Sequence, residues 1–206
     1  MIWRIVLSGA IGYCLGCIIS ALIVGKIFGK IDIRDHGSGN AGSTNVQRVL
    51  GWRYGFYTLA GDALKGVVAV AIGWLLAGEI GGYVAGVCAV IGHNWPAFSR
   101  FKGGKGIATS VGVVLMTMPL CGGIVLAIGL IVIFATRYVS LGAVIAAGSL
   151  MVVGTLLNLH NYWAMGTALL LGAMAIFSHR ANIKRLIGHT ERKIGTPKKD
   201  DKGPQA

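Results

Sequence analysis

Residues 107–136, IATSVGVVLMTMPLCGGIVLAIGLIVIFAT, run for thirty residues without a charge. One ordinary membrane span needs only about 20 residues, and this stretch carries Thr117-Met118-Pro119 in its middle. Whether it is one helix or two decides the fold. The answer lies in the charges around it. Apolar stretches also cover approximately 3–25, 55–78, 80–98, 141–158 and 161–178. Lysine and arginine gather between them in four groups, at 26–53, 100–105, 137 and 180–202. A single helix over 107–136 would put the 100–105 group and the C-terminal group on opposite membrane faces. A turn at Pro119 puts all four groups on one face, leaving the other to Glu79, Met118-Pro119 and NLHNYW. Only Arg4 breaks the pattern. Basic loops belong to the cytoplasmic side, so the expectation is an all-α bundle of seven transmembrane helices, with the N-terminus outside and the C-terminus cytoplasmic. The halves 107–117 and 119–136 are short, which suggests tilt or partial insertion.

Composition agrees with a membrane protein. The 206 residues are 54% hydrophobic and 13% charged, with a mean hydropathy of +0.70, where a soluble domain carries roughly 25% charged residues. Residues 1–24 hold one arginine and no small-residue cleavage site, and read as a retained first span. The 33 glycines are scattered through the spans and allow close helix contact. No internal repeat is visible, which disfavours a transporter built from inverted halves. The net charge of +12 is explained by the cytoplasmic bias and by attraction to anionic membrane lipids, so no nucleic-acid partner is expected. Cys14, Cys17, Cys88 and Cys121 all lie in apolar stretches and read as small packing residues. No metal-ligand constellation appears, and neither metal nor cofactor is expected. The chain reads as one domain over 1–194 with three cytoplasmic motifs at 32–51, 92–109 and 178–192, followed by a basic, disordered tail over 195–206.

Those motifs hold the unusual polar residues. In the first, DIRDHGSGNAGSTNVQRVLG (Asp32–Gly51), glycines let the backbone turn its N–H groups inward, and Ser, Thr and Asn add donors without bulk. The helix expected over 44–50 places Asn45 and Arg48 on one face, and its N-terminus after such a loop suits an anion. A polar surface loop with helix-capping residues is the alternative. The second, GHNWPAFSRFKGGKG (Gly92–Gly106), resembles a nucleotide P-loop but fails that pattern, because Gly106 stands where Ser or Thr should follow Lys105. Its physical content survives: free N–H groups, the ammonium groups of Lys102 and Lys105, and a helix starting at Ile107. A basic loop touching lipid phosphates would look similar. The third, SHRANIKRLIGHTER (Ser178–Arg192), sets His179 and Asn182 one turn apart. Inside the membrane, Asp62 and Lys65 at i, i+3 read as a structural ion pair, since charges at that depth tend to pair. Arg137–Ser140 is a fourth inward patch, with Ser140 able to donate to the same anion.

Taken in order, GSGNAGSTNVQRVLG, GHNWPAFSRFKGGKGIAT and SHRANIKRL with the following Glu191 resemble the acyl-phosphate-dependent glycerol-3-phosphate acyltransferases of bacteria, the PlsY family. DALKG and RYVSLG match as well, and Ser43 departs from the family's usual Ala. The resemblance implies seven membrane helices in a bacterial plasma membrane with a cytoplasmic active site. It implies transfer of a fatty acyl group from acyl phosphate to the 1-hydroxyl of glycerol 3-phosphate, giving lysophosphatidic acid. It implies no use of acyl-CoA; accordingly, none of His36, His93, His160, His179 and His189 begins an H-x-x-x-x-D signature. By the same resemblance Ser38, Arg48, His179 and Asn182 are the catalytic positions. Gly103 and Gly104, with Lys105, correspond to the family's glycerol-phosphate loop, Ser140 resembles a residue contacting substrate, and Glu191 corresponds to a structural position. Gly39, Asn40, Thr44, Asn45, His93, Lys102 and Gly106, in the same loops, are expected to bind substrate with them, while Asp62 and Lys65 stay structural. Either His179 or a substrate phosphate takes the hydroxyl proton. A transporter or flippase of a phosphorylated solute is the alternative reading of the same loops.

Overall fold

The computed structural model describes residues 1–195, and every regular element among them is helical. The tail expected over 195–206 lies outside the described residues except for Gly195.

The first apolar stretch is not one straight span. Helix α1 (Ile2–Gly16) stops, and α2 (Ser20–Val24) restarts after three residues and widens into a π-helical turn at Gly25–Gly29. A break frees carbonyls, which lipid cannot satisfy. Here the Lys65 ammonium supplies the donors, to Gly16 O at 3.2 Å and Ile18 O at 2.7 Å. After the first polar loop come α3 (Ser43–Leu50) and α4 (Trp52–Asn94).

The latter is a hairpin rather than a rod, reversing at Ala77 and at Gly78, whose φ of 65° and ψ of −156° suit only glycine. Its arms fold against each other so tightly that a Cβ on Gly73 or Gly81 would lie 2.2 Å from the other's carbonyl oxygen. The same small-residue logic brings α1 onto the second arm, where Gly12 and Gly16 abut the Ala85 and Ala89 carbonyls. On the first arm it seats α5 (Ile107–Thr117), where Gly112 abuts the Ala63 carbonyl.

The deciding stretch does break. Met118 leaves helical geometry (φ −140°, ψ 68°), and Pro119 opens α6 (Pro119–Thr136) at the position where its missing N–H is harmless. Gly122 lies back against Leu115 across this break. The remaining elements are α7 (Val139–Leu156), α8 (Tyr162–Ser178) and α9 (Arg180–Ile187), the last bent 58° from α8. Val70, Val90, Val113, Leu150 and Leu171 form the main core, and Ile33 and Val46 belong to a second cluster under the first loop. Phe134 and Leu75, at least four-fifths exposed, show apolar faces suited to lipid.

By length and hydropathy, four described helices could cross a membrane, or five if the bent α8–α9 pair is one span, with Trp52–Ser99 counted once despite its reversal. All three polar motifs and the α6–α7 turn lie together at one end of this bundle.

Candidate functional site

The first motif is built around a buried side chain. Asn45 accepts from Ser38 N at 2.8 Å and donates to the carbonyls of Ile33 and His36, both at 3.0 Å. Its amide is thus spent on the loop backbone. Asn45 is a clamp, where the sequence had placed it on a ligand-facing side of α3 with Arg48. The clamp holds Ser38 and Gly39 exposed at the crest, and the Ser38 hydroxyl bonds to no described residue. Asn40 and Thr44 are half-buried on either side. Arg34 grips Asp32 through two nitrogens (Nη2–Oδ2 2.7 Å) and donates from Nη1 to Ser99 O at 3.2 Å, tying the first loop to the second. Its hydrogen bonds hold the Asp32 carboxyl well below the usual carboxylate range.

The second motif needs its glycines for contact. A Cβ on Gly103 would meet His93 O at 2.0 Å, and one on Gly104 would meet His93 Nε2 at 2.2 Å and Ala41 O at 2.8 Å. Gly104 N also donates to His93 O at 3.1 Å. The loop therefore lies flat on the end of the hairpin and against the first loop. Gly106 (φ 76°) then opens α5. Lys102 is exposed on the loop, whereas Lys105 turns in and donates to Asn182 Oδ1.

In the third motif the bend at His179 buries both that ring and Asn182. His179 Nδ1 lies 2.8 Å from Ala175 O. A carbonyl only accepts, so Nδ1 carries the proton and Nε2 is left with a lone pair. Asn182 Nδ2 donates to Ser140 Oγ at 2.8 Å and to Glu191 Oε1 at 2.9 Å. Ser140 also donates to Glu191 Oε1 at 2.6 Å, and Arg185 Nε to Oε2 at 2.6 Å. Past α9 the chain doubles back as a strap, in which Ile194 N donates to Arg137 O at 2.8 Å. Arg48 reaches the same strap at Arg192 O, 3.5 Å away.

Among the described residues of this cluster, cations outnumber the one carboxylate. Burial pushes the Lys105 ammonium down to about 8, with Glu191 opposing the shift and Arg185 and Arg48 adding to it. Burial and then Lys105 push the His179 imidazolium down to about 4. Burial also lowers the Arg48 guanidinium. Burial would raise Glu191, but hydrogen bonds from Ser140, Arg185 and Asn182 hold it below its ordinary value. Such an arrangement is stabilised by an added anion.

Beside this cluster an apolar cavity of about 130 Å³ runs between α5, α6 and α7. Ile107 and Val139 line it, respectively two residues from Lys105 and one from Ser140, and it continues past Gly129 and Ala143 to Leu150. Ser110 is its polar lining residue. A wider depression of about 470 Å³ lies at the other end of the bundle between Met1–Arg4 and Leu75–Gly78, and contains none of the motif residues.

The structure thus gathers Arg48, Lys105, Ser140, His179, Asn182 and Glu191. It sets Asn45 and His93 beneath the loops and leaves Lys102 outside. Asp62 pairs with Lys65 at 3.0 Å as the i, i+3 spacing suggested. Sequence reasoning missed Arg185 as the partner of Glu191, and Asn94, which donates to Ser178 Oγ at 3.3 Å while its buried Oδ1 has no partner. A Cβ on Gly106 would meet that oxygen at 2.6 Å. Among the described residues no group of His, Cys, Asp and Glu side chains has the makings of a metal site.

Residues 6–189 match the family model described as glycerol-3-phosphate acyltransferase. A glycerol-3-phosphate acyltransferase of Thermoanaerobacter pseudethanolicus is 50% identical over 194 residues, which cover 92% of this chain and 96% of the relative. The crystal structure of PlsY, an integral membrane glycerol 3-phosphate acyltransferase, in its glycerol 3-phosphate form superposes with a TM-score of 0.84 at 34% identity, covering 93% of this chain and 96% of that one. Its lysophosphatidic acid form gives a TM-score of 0.80 at 32% identity, with the same coverage.

Proposed function

The chain belongs to the glycerol-3-phosphate acyltransferase family and is an integral membrane protein of the PlsY type, and from that premise we propose that it takes its acyl group from acyl phosphate. The carbonyl carbon of the donor bonds to the 1-hydroxyl oxygen of glycerol 3-phosphate. The bond from that carbon to the phosphate oxygen breaks, the hydroxyl proton leaves with the phosphate, and the products are lysophosphatidic acid and inorganic phosphate. Acyl-CoA is not a donor.

The observation that carries this reading is the meeting of a cation-rich polar cluster with an apolar cavity. Ile107 and Val139, two residues from Lys105 and one from Ser140, line a cavity that runs between apolar helix faces. A lipid-borne acyl phosphate has that shape: an anionic head on an apolar tail. Lipid is as apolar as the cavity, so the cavity gives the chain position more than affinity. The water-soluble acceptor meets it over the glycine loop, where the N–H groups not already given to carbonyls, together with the Lys105 ammonium, hold its phosphate. Arg48 and Lys105 screen the repulsion between two anions and offset charge developing on the leaving phosphate. Holding the pair in attack geometry supplies several kcal/mol more, on the order of 7 in favourable cases.

His179 offers its Nε2 lone pair to the acceptor hydroxyl. With its imidazolium pushed down to about 4 it is a weak base at neutral pH, so we assign it orientation of the hydroxyl and give the proton to the departing phosphate. Asn182 and Ser140 are fixed by Glu191 and steer Lys105. Ser38 donates from the crest of the first loop.

We further read seven spans with the site on the cytoplasmic face of a bacterial inner membrane. The reversal at Ala77–Gly78 and the break at Met118 support the count, and the gathering of basic groups supports the orientation.

The test compares donors. Purified protein with glycerol 3-phosphate should form lysophosphatidate from palmitoyl phosphate and not from palmitoyl-CoA. Equal or greater turnover with the thioester would sink the donor assignment. Uptake or flipping of phosphorylated solute without any new ester would favour a transporter instead.

A further inference from the structure

Asp62, Lys65 and His93 form a buried group inside the hairpin, between the broken end of α1 and the glycine loop, and the chemistry above uses none of them. Lys65 Nζ has four neighbours: Asp62 Oδ1 at 3.0 Å, His93 Nδ1 at 2.7 Å, Ile18 O at 2.7 Å and Gly16 O at 3.2 Å. All three side chains are at least nine-tenths buried.

The protonation of this group follows from its geometry. Lys65 Nζ faces three acceptor oxygens, more than the two N–H donors of a neutral amine can meet, so it is the ammonium and Asp62 its carboxylate partner. A protonated His93 would set a second cation 2.7 Å from Nζ and face a donor with a donor. An ammonium has no lone pair to offer, so His93 Nδ1 must accept from it. Asp62 Oδ1 lies 3.6 Å from Nδ1, too far to draw a proton there. The ring proton is therefore on Nε2. That atom lies against Gly104, where a Cβ would come within 2.2 Å of it, and it bonds to no described residue.

We infer that the buried Asp62–Lys65 pair locks His93 in its Nε2–H form, making His93 an N–H donor at Gly104 for the oxygen atoms of the acceptor substrate. Lys65 and Asp62 are then positioning residues that act through the ring, beyond their part in closing the break in α1. The two motif histidines are set in opposite tautomers: His93 donates from Nε2 and His179 accepts at Nε2. The inference rests on the reading that the glycine loop holds glycerol 3-phosphate.

Ring ¹⁵N spectra of the full chain in bilayers test the lock without any assay of activity, with the His93 signals identified by their loss in His93→Gln. The expected result is a protonated Nε2 and a bare Nδ1. A protonated Nδ1 at His93 overturns the lock, whether or not the acyltransferase reading stands. The Asp62→Leu/Lys65→Met double substitution removes both charges and should admit the Nδ1–H form; an unchanged Nε2–H signal from folded double variant contradicts the lock, and the native spectrum decides if that variant does not fold. The donor role is read from kinetics. Gln places an amide N–H near the site of Nε2, and Asn places one near the site of Nδ1. His93→Asn should raise KM for glycerol 3-phosphate about tenfold or more, and His93→Gln less than about threefold, with kcat moving less than KM in both. Equal KM values in the two variants would overturn it.

Discussion

Lys65 and Lys105 both leave water, but they end in different company. Lys65 has Asp62, a histidine nitrogen and two carbonyls around one ammonium. Every donor it owns is committed. Among the described residues Lys105 makes one hydrogen bond, to Asn182 Oδ1, and Glu191 reaches it through that amide and through space. No described residue takes its other donors, and its charge is disfavoured until something negative arrives. The difference separates a cation that holds a fold from a cation that waits for a ligand.

The contrast can be broken most forcefully at Lys65. Lys65→Met leaves Asp62 buried and unpaired, and should lower stability by about 3–5 kcal/mol, read as loss of folded protein in thermal denaturation. Asp62→Leu/Lys65→Met should lose less, because no lone charge remains. At Lys105 the opposite is expected. Lys105→Ala should cut kcat/KM by about 10²–10³ while the melting temperature holds or rises, since a disfavoured buried ammonium is removed. A Lys105→Ala protein that unfolds early would make the two lysines alike.

Acidity gives a further test. His179 has a folded value near 4, below its ordinary 6.5, so the unfolded chain binds the extra proton first as pH falls. Stability is fully present above about 6.5 and should fall by roughly 3 kcal/mol toward pH 4. His179→Gln should flatten that part of the pH–stability curve. Alkali acts on Lys105, whose charge is lost as pH rises through about 8. kcat/KM for glycerol 3-phosphate should then drop about tenfold per pH unit above that point, and Lys105→Arg should remove the limb. The smallest effect is expected at Ser140, where Ala removes one donor to Glu191 and should lower activity by about tenfold.

Much of this fold was legible in the sequence because its breaks carry visible marks. Pro119 announces the start of α6, and Glu79 between two apolar runs announces the hairpin. The break in α1 has no such mark. Nothing between Cys17 and Ile19 disfavours a helix, and the signal was remote, in a Lys65 that needed acceptors. The site was legible to the level of its motifs and not of its contacts. The motifs do not tell a polar side chain that faces ligand from one that holds a loop, and Asn45 is turned inward to clamp its own. Arg185 carries no such signal, because its partner Glu191 comes six residues later, after the chain has doubled back. That return is set by the strap on Arg137, a contact between residues 57 apart.

The central claim is that the cluster around Lys105 moves an acyl group from one phosphate compound to another. The most direct test is a single measurement of stoichiometry on the purified protein supplied with palmitoyl phosphate and glycerol 3-phosphate. The account predicts one inorganic phosphate released for each lysophosphatidate formed, with negligible release when glycerol 3-phosphate is withheld. Phosphate released without matching ester, or no ester at all, would contradict it.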